Sequence, residues 1–544
     1  MDAIQIFGTA ATLAVGGAGI WTLRQRASGG SHRLIALLLV LLTAVYGVSF
    51  VAAHAPEPLN WDEVDYINAS ELGIRANYLE TGSLNLADFY RVGKLKGSGD
   101  LAAVQQLGRT LPPEAADPFT LRHFHPPLAT YFWNLWGRLG TSETHWHSAM
   151  IFVLALGLLV TAFAAPRPSL ISASAAAIAF TAPAVISGYQ FLSFHEWHTP
   201  ALVAFMALLF AAARAPSRRL DIALGIAASV LLLTLEMGAI VLALAIVALI
   251  GCGRWRYFVK LPALARIIGS GAVTLLLLWP GFYLKGGTFK AVAMYAYRLF
   301  VKHGQEYESV AAPDFWAHLI ASNPVLIAWC VLGVVLTVYG LWTRRLSHAY
   351  LVPLAIGGGY AAIMTPFALR DAYMAPALVA LAANTAFAIT GLASASDRTS
   401  SILGGVALFT ASLSLLIAFI STPFSTQLQQ SRGDGRAMAA DVAQIRRLVP
   451  ADRPVLAVGA HMVSRYVPGY SAQRADAIGT PVQLYERRDY ADIPATDSLT
   501  RGRFGAIVLW RASEVSPDLL QRLSAQGYRH VQLHYFDLAL APPR

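Results

Sequence analysis

The sequence predicts a polytopic α-helical membrane protein of about 12 spans with a C-terminal extracytoplasmic α/β domain. Three observations carry that prediction. Of 544 residues, 56% are hydrophobic and 13% charged, with a mean hydropathy of +0.51. A soluble domain holds about 45–50% apolar and about 25% charged residues. Apolar runs of spanning length recur up to residue 421, and arginines gather on alternate connections between them. The same composition excludes a disordered chain. The net charge of +10 reads first as positive cytoplasmic loops, then as an anionic substrate or lipid, and not as nucleic-acid binding.

Residues 1–53 hold two spans. The first lacks the positive n-region of a signal peptide and reads as a retained span; the second runs from Leu34 to Ala53. Residues 54–147 form a long first outer loop. Residues 148–421 form the transmembrane core, with runs starting near Ser148, Leu170, Thr199, Ile222, Ala239, Ile267, Leu319, Tyr350, Ala372 and Ile402. The connectors carrying Arg24/Arg26/Arg33, Arg167, Arg214/Arg218/Arg219, Arg254/Arg256/Lys260, Arg344/Arg345 and Arg398 share one side, which the positive-inside rule assigns to the cytoplasm. The N-terminus, the first loop, residues 285–316 and everything after Thr422 then lie outside. Cys252 sits at a span end and Cys330 inside an apolar run, which argues against a structural disulfide.

Residues 422–544 differ in kind. A helical pattern from Met438 to Leu448 precedes an apolar strand at 454–458. A strand at 506–510, a helix at 517–526 stopped by Gly527, and a strand at 530–535 follow. Alternating strands and helices predict a small domain with a partly parallel sheet.

Ionisable groups cluster on the expected outer side. The first loop opens with Asn60-Trp61-Asp62-Glu63-Val64-Asp65-Tyr66. On a helix Asp62 and Asp65 share a face, and Glu63 points elsewhere. A partly desolvated carboxylate there suits a general base; the plain alternative is a solvated acidic helix start in an aromatic belt. The loop closes with Arg122-His123-Phe124-His125-Pro126-Pro127-Leu128. The double proline fixes a turn that holds Arg122, His123 and His125 in place, where they suit a phosphate. His195 and His198, at i and i+3 with Glu196 nearby, admit a divalent cation, although interfacial histidines are more often structural. No other cofactor is implied. Glu236 stands in an apolar run, where a charge is functional or paired. Lys285, Lys290, Arg298 and Lys302, interleaved with tyrosines, oppose the positive-inside trend; they suit a lipid phosphate or an interfacial helix.

Four of these pieces together resemble the GT-C glycosyltransferases, in particular the bacterial branch containing the protein O-mannosyltransferases and the lipid A aminoarabinose transferases. The pieces are Asp62-Glu63 after an early span, His125-Pro126-Pro127-Leu128 closing the first loop, Leu235-Glu236-Met237-Gly238 in a middle span, and Arg370 with Tyr373 and Pro376 at a late span start. One departure is His195-Glu196-Trp197-His198, where the family often places an acidic residue at the span start; Glu196 is the displaced candidate. The resemblance implies a GT-C-like fold in a bacterial inner membrane and sugar transfer, with inversion, from a polyprenyl-phosphate donor lipid to a glycan, lipid or protein acceptor on the extracytoplasmic face. It implies Asp62 and Glu63 as catalytic residues. Together with the residue readings above, it places Asp65, Tyr66, Arg122, His123, His125, Glu196, Glu236, Lys285, Lys290, Arg298, Lys302, Arg370 and Tyr373 around the substrates. Because the lipid phosphate leaves, no nucleotide loop is required, and the sequence has none. Two other classes stay open: a lipid or glycan transporter or flippase, and a non-catalytic membrane assembly protein.

Overall fold

The computed structural model describes residues 2–24, 29–55, 58–71, 126–164, 170–279, 312–365, 371–393, 397–449, 455–458, 465–466, 472–473, 505–511 and 517–542. Helices α1 (Ala3–Arg24) and α2 (Gly29–His54) are followed by short helices α3 (Trp61–Glu71) and α4 (Leu128–Gly137). The core then runs through α5 (Glu143–Phe163), α6 (Leu170–Phe180), α7 (Phe194–Arg214), α8 (Arg218–Thr234), α9 (Gly238–Gly251) and α10 (Leu261–Leu278). It continues with α11 (Ala312–Ser322), α12 (Pro324–Trp342), α13 (Leu351–Met364), α14 (Asp371–Ala393) and α15 (Asp397–Ser421).

Among the described residues, 8 helices are long and apolar enough to cross a membrane, or 9 if α6 and the segment Pro183–Gln190, bent by 73°, form one span. Helices α8, α9 and α13 answer to the remaining apolar runs but have only 17, 14 and 14 residues. The chain is a multi-pass membrane protein: large apolar side chains such as Leu37, Ile246, Leu277 and Val335 are exposed, as lipid-facing helices require. Helix α10 buries only Ala263 and Gly271, whereas α6 is buried at every position. Small residues set the close approaches. A Cβ on Gly225 of α8 would overlap the Ile267 carbonyl of α10, and beside it Ser229 Oγ donates to Gly271 O at 2.8 Å. Both cysteines are free and buried.

Hydrogen bonds show which helix ends share a face. Gln5 Nε2 donates to Ile420 O and Thr422 O, so α1 begins where α15 ends. Ser431 Oγ donates to Ala55 O, just past α2. The first turns of α5, α7 and α14 and the end of α8 meet at this same face, as described below. The opposite end holds Arg214, against the rings of Phe210 and Tyr350, and Arg266, paired with Asp221 at 2.6 Å. The division follows the arginine pattern of the sequence.

The long helix α16 (Phe424–Leu448) leads from the bundle to a sheet. The pattern predicted only Met438 to Leu448; the polar first half joins because it docks on α2. The sheet has the order β2-β1-β3-β5-β4, from β1 (Val455–Val458), β2 (Ala472–Gln473), β3 (Ala506–Trp510), β4 (Arg529–Gln532) and β5 (Phe536–Leu540). Strands β1, β2 and β3 are parallel, and β5 is antiparallel to β3 and β4. The strand predicted at 530–535 is instead half of a hairpin. Leu533 N donates to Phe536 O at 2.8 Å and turns the chain, so Phe536–Leu540 pairs with Ala506–Trp510. Helix α17 (Pro517–Ala525) ends as expected: Gly527 has φ +84°, and Tyr528 N bonds Leu523 O at 3.0 Å. Asp441 of α16 accepts from His534 N and Tyr535 N at 3.2 and 2.6 Å, which ties the sheet to the helix.

Candidate functional site

Helix α3 starts with a reciprocal cap. Asn60 Oδ1 accepts from Glu63 N at 2.9 Å and Glu63 Oε2 accepts from Asn60 N at 2.8 Å, the capping-box arrangement with asparagine at the N-cap. Glu63 is fully buried. Its other oxygen, Oε1, accepts from His147 Nε2 of α5 at 2.9 Å and from Leu192 N at the entrance to α7 at 2.9 Å. One carboxylate thus joins α3, α5 and α7, and both oxygens are engaged inside the protein. Asp62, its neighbour on the first turn, is only half-buried.

Aromatic packing fixes the rest of α3. Tyr66 stacks on Trp133 of α4 at 5.6 Å and meets Phe194 edge-on at 4.7 Å. Asn134 Nδ2 donates to Ser70 O at 2.8 Å. Pro127 is the N-cap of α4, so the double proline precedes a helix as the sequence predicts, and α4 packs beside α3.

Helix α7 opens with a second buried acid. Ser193 Oγ accepts from His195 N at 3.1 Å, and the Ser193 hydroxyl also bonds the Glu196 carboxylate. Glu196 lies against Gly188, where a Cβ would overlap its Oε1; only glycine leaves room for the acid. Glu196 Oε2 is buried without a hydrogen-bond partner among the described residues. Such an oxygen is costly unless a donor or a proton meets it.

The adjoining polar groups come from four elements. The His195 ring meets Tyr373 of α14 edge-on at 4.5 Å. His198 Nδ1 lies 3.2 Å from Thr234 Oγ1 at the end of α8. Thr234 donates its own proton to Leu231 O at 2.7 Å, so His198 is the donor through Nδ1. Its Nε2 is then an acceptor, and it too is buried without a partner. Tyr360 of α13 packs at 5.9 Å from His198 and lies within electrostatic reach of Glu236, which occupies the break between α8 and α9.

Of the residues singled out in the sequence, Asp62, Glu63, Tyr66, Glu196, Glu236 and Tyr373 therefore stand at one face of the bundle. The side chain of Asp65, and Arg122, His123, His125, Lys285, Lys290, Arg298, Lys302 and Arg370, lie outside the described residues. His195, Glu196 and His198 turn to different neighbours, and among the described residues no group of three His, Cys, Asp or Glu side chains is placed to hold a metal ion.

Sequence reasoning missed His147, Leu192 N, Thr234, Tyr360 and Tyr466. Tyr466 joins the C-terminal region to this site: its hydroxyl accepts from Leu59 N at 2.6 Å, one residue before the cap, and is hydrogen-bonded to Glu143 at the start of α5. Burial, reinforced by Glu143, holds this hydroxyl well above the ordinary tyrosine range, so it stays protonated and donates to Glu143. The spacings Asn60-x-x-Glu63 and Ser193-x-x-Glu196 are the signals that the sequence carries for the two caps; a backbone N–H or a partner from another helix leaves none.

A helical membrane bundle with a short capped helix between its early spans, and a mixed sheet at the same face, is a fold found among solved membrane-protein structures. The chain is similar over 95% of its length to ArnT from Cupriavidus metallidurans, with a TM-score of 0.58 at 16% identity and all of that chain covered. The same protein bound to undecaprenyl phosphate gives a TM-score of 0.57, with the same coverage. A lesser likeness, with a TM-score of 0.39 at 12% identity, is to the Archaeoglobus fulgidus oligosaccharyltransferase in complex with Zn and sulfate, over 87% of this chain and 68% of that one. No family model and no curated protein sequence matches the chain.

Proposed function

We propose that the protein is a glycosyltransferase that moves a sugar, with inversion, from a polyprenyl-phosphate donor to an acceptor on the extracytoplasmic face of a bacterial inner membrane. The observation that carries this reading is the pinned first turn of α3. A buried Glu63 with both oxygens engaged holds the half-buried Asp62 in a fixed place at the face where Glu196, Glu236 and Tyr373 also lie. Preorganised groups of this kind are what general-base catalysis needs. The GT-C fold and the undecaprenyl phosphate held by the similar ArnT structure support the choice of donor class.

In this reading Asp62 takes the proton of the acceptor hydroxyl or amine as it attacks the sugar carbon, and the lipid phosphate departs with the electron pair of the glycosidic bond. Glu63 is a positioning residue that acts through α3. The unpartnered Glu196 Oε2 and His198 Nε2 accept hydrogen bonds from substrate hydroxyls. Arg370 and the cations Lys285, Lys290, Arg298 and Lys302 neutralise the departing phosphate, and Arg122, His123 and His125 of the first loop suit the same phosphate.

The test is Asp62→Asn, which keeps the shape and removes the base. Single-turnover transfer from a radiolabelled polyprenyl-phosphate sugar pool should fall by about a hundred-fold or more, with donor binding unchanged. Transfer at the parental rate would sink the assignment.

A further inference from the structure

A second feature lies beside the proposed site. A cleft of about 910 Å³ opens between α16, the start of α5 and Tyr466. Its wall on α16 carries Arg432, Arg436 and Arg446, all exposed. Positions 432, 436, 439, 443 and 446 are spaced by three or four, so the arginines and the alanines between them form one stripe along the helix. Fourteen residues at 1.5 Å each separate the outer two arginines by about 21 Å. Among the described residues none of the three is ion-paired; Arg436 Nε donates only to the Arg432 carbonyl, at 3.3 Å. The carboxylate that faces them, Glu143, is hydrogen-bonded to Tyr466. Tyr466 in turn holds Leu59 N, three residues before Asp62. The cleft thus borders the tyrosine that holds the chain just before the acidic motif.

We infer that this cleft seats the acceptor, and that the acceptor is an extended acidic oligosaccharide whose anionic groups pair with Arg432, Arg436 and Arg446. This rests on the glycosyltransferase reading and names the substrate class of that site. Three guanidiniums on one stripe, none ion-paired among the described residues, are suited to carboxylate or phosphate oxygens. Their separation decides the form of the ligand: a single phospholipid headgroup meets one arginine and leaves the others alone, whereas a chain of acidic sugars meets all three. The small side chains of Ala439 and Ala443 leave the space between the arginines open for the sugar rings.

The test is direct binding to the full-length protein in detergent, followed by calorimetry. The probes are a hexamer of galacturonic acid, its dimer, a neutral glucose hexamer, inorganic phosphate, a glutamate hexapeptide and phosphatidylglycerol nanodiscs. The acidic hexamer should bind, the dimer at least ten-fold more weakly, and the neutral hexamer not at all. Replacing the three arginines by glutamine should weaken hexamer binding ten-fold or more; replacing them by lysine should restore it to within a few-fold. Equal binding of the neutral hexamer, no effect of the glutamine variant, or no binding of the acidic hexamer overturns the inference. So does arginine-dependent binding seen only with phosphate, with nanodiscs or with the peptide. The outcome is separable from that of the transfer reading. Hexamer binding retained in Asp62→Asn keeps the cleft assignment even if transfer proves independent of Asp62. Asp62-dependent transfer without hexamer binding removes the cleft alone.

Discussion

Replacing Glu63 by glutamine tests whether this residue positions α3 or takes part in the chemistry. The wild-type carboxylate accepts three hydrogen bonds, from His147 Nε2, Leu192 N and Asn60 N. A glutamine has one oxygen and one amino group. With the oxygen toward His147 and Leu192, the amino group faces Asn60 N–H, donor against donor. With the amide turned over, His147 can accept by changing tautomer, but Leu192 N–H then meets a donor. Either orientation strands one backbone N–H, at a cost of about 1–3 kcal/mol. If that energy holds the first turn of α3 in its productive position, turnover falls by about 5- to 150-fold. Asn60→Ala removes the other half of the cap and should cost about 1 kcal/mol, with a smaller loss in the same direction. The assay is single-turnover transfer beside thermal unfolding in detergent. If Glu63→Gln abolishes turnover while unfolding is unchanged and Asn60→Ala is fully active, the positioning role is refuted and Glu63 belongs to the reacting groups.

Two further outcomes are expected. Tyr466→Phe deletes the hydroxyl that accepts from Leu59 N and donates to Glu143; stability should drop by about 1–2 kcal/mol and transfer should slow while donor binding persists, and an unaltered transfer rate would detach the C-terminal region from the site. Reporter fusions at Arg344 and after Leu540 should report opposite sides of the membrane, because the arginine-rich face and the sheet lie at opposite ends of the bundle; agreement between the two would reverse the orientation argument.

The bundle was legible in the sequence because its two signals are physical requirements. Every apolar run has its helix, and the arginines mark one face. The break around Glu236 was legible too: separate runs from Ile222 and Ala239 flank it, and α8 stops at Thr234 and α9 starts at Gly238. In the site, Asn60-x-x-Glu63 and Ser193-x-x-Glu196 carry local spacing and could be read. His147 and Tyr466 could not, since they lie 84 and 407 residues from Glu63 and Leu59, their partners. The hairpin at Leu533 was missed for a similar reason: His530 to Tyr535 has strand composition, and only the pairing of Phe536–Leu540 with Ala506–Trp510 shows where the chain turns.

Helix α6 imposes an order on how the protein is made. All of its residues are buried, packed by α2 and α5, which precede it, and by α14 and α15, which are synthesised much later. On leaving the translocon it therefore has neighbours on one side only. Two hydroxyls need no later helix: Ser174, within α6, and Thr181, just past its end, donate to the Leu170 and Ala177 carbonyls, which makes a wait in lipid tolerable. When α15 arrives, Ser414 comes within 2.8 Å of Thr181 and the interior closes. A nascent chain stalled before Asp371 thus leaves α6 without the neighbours that α14 and α15 supply.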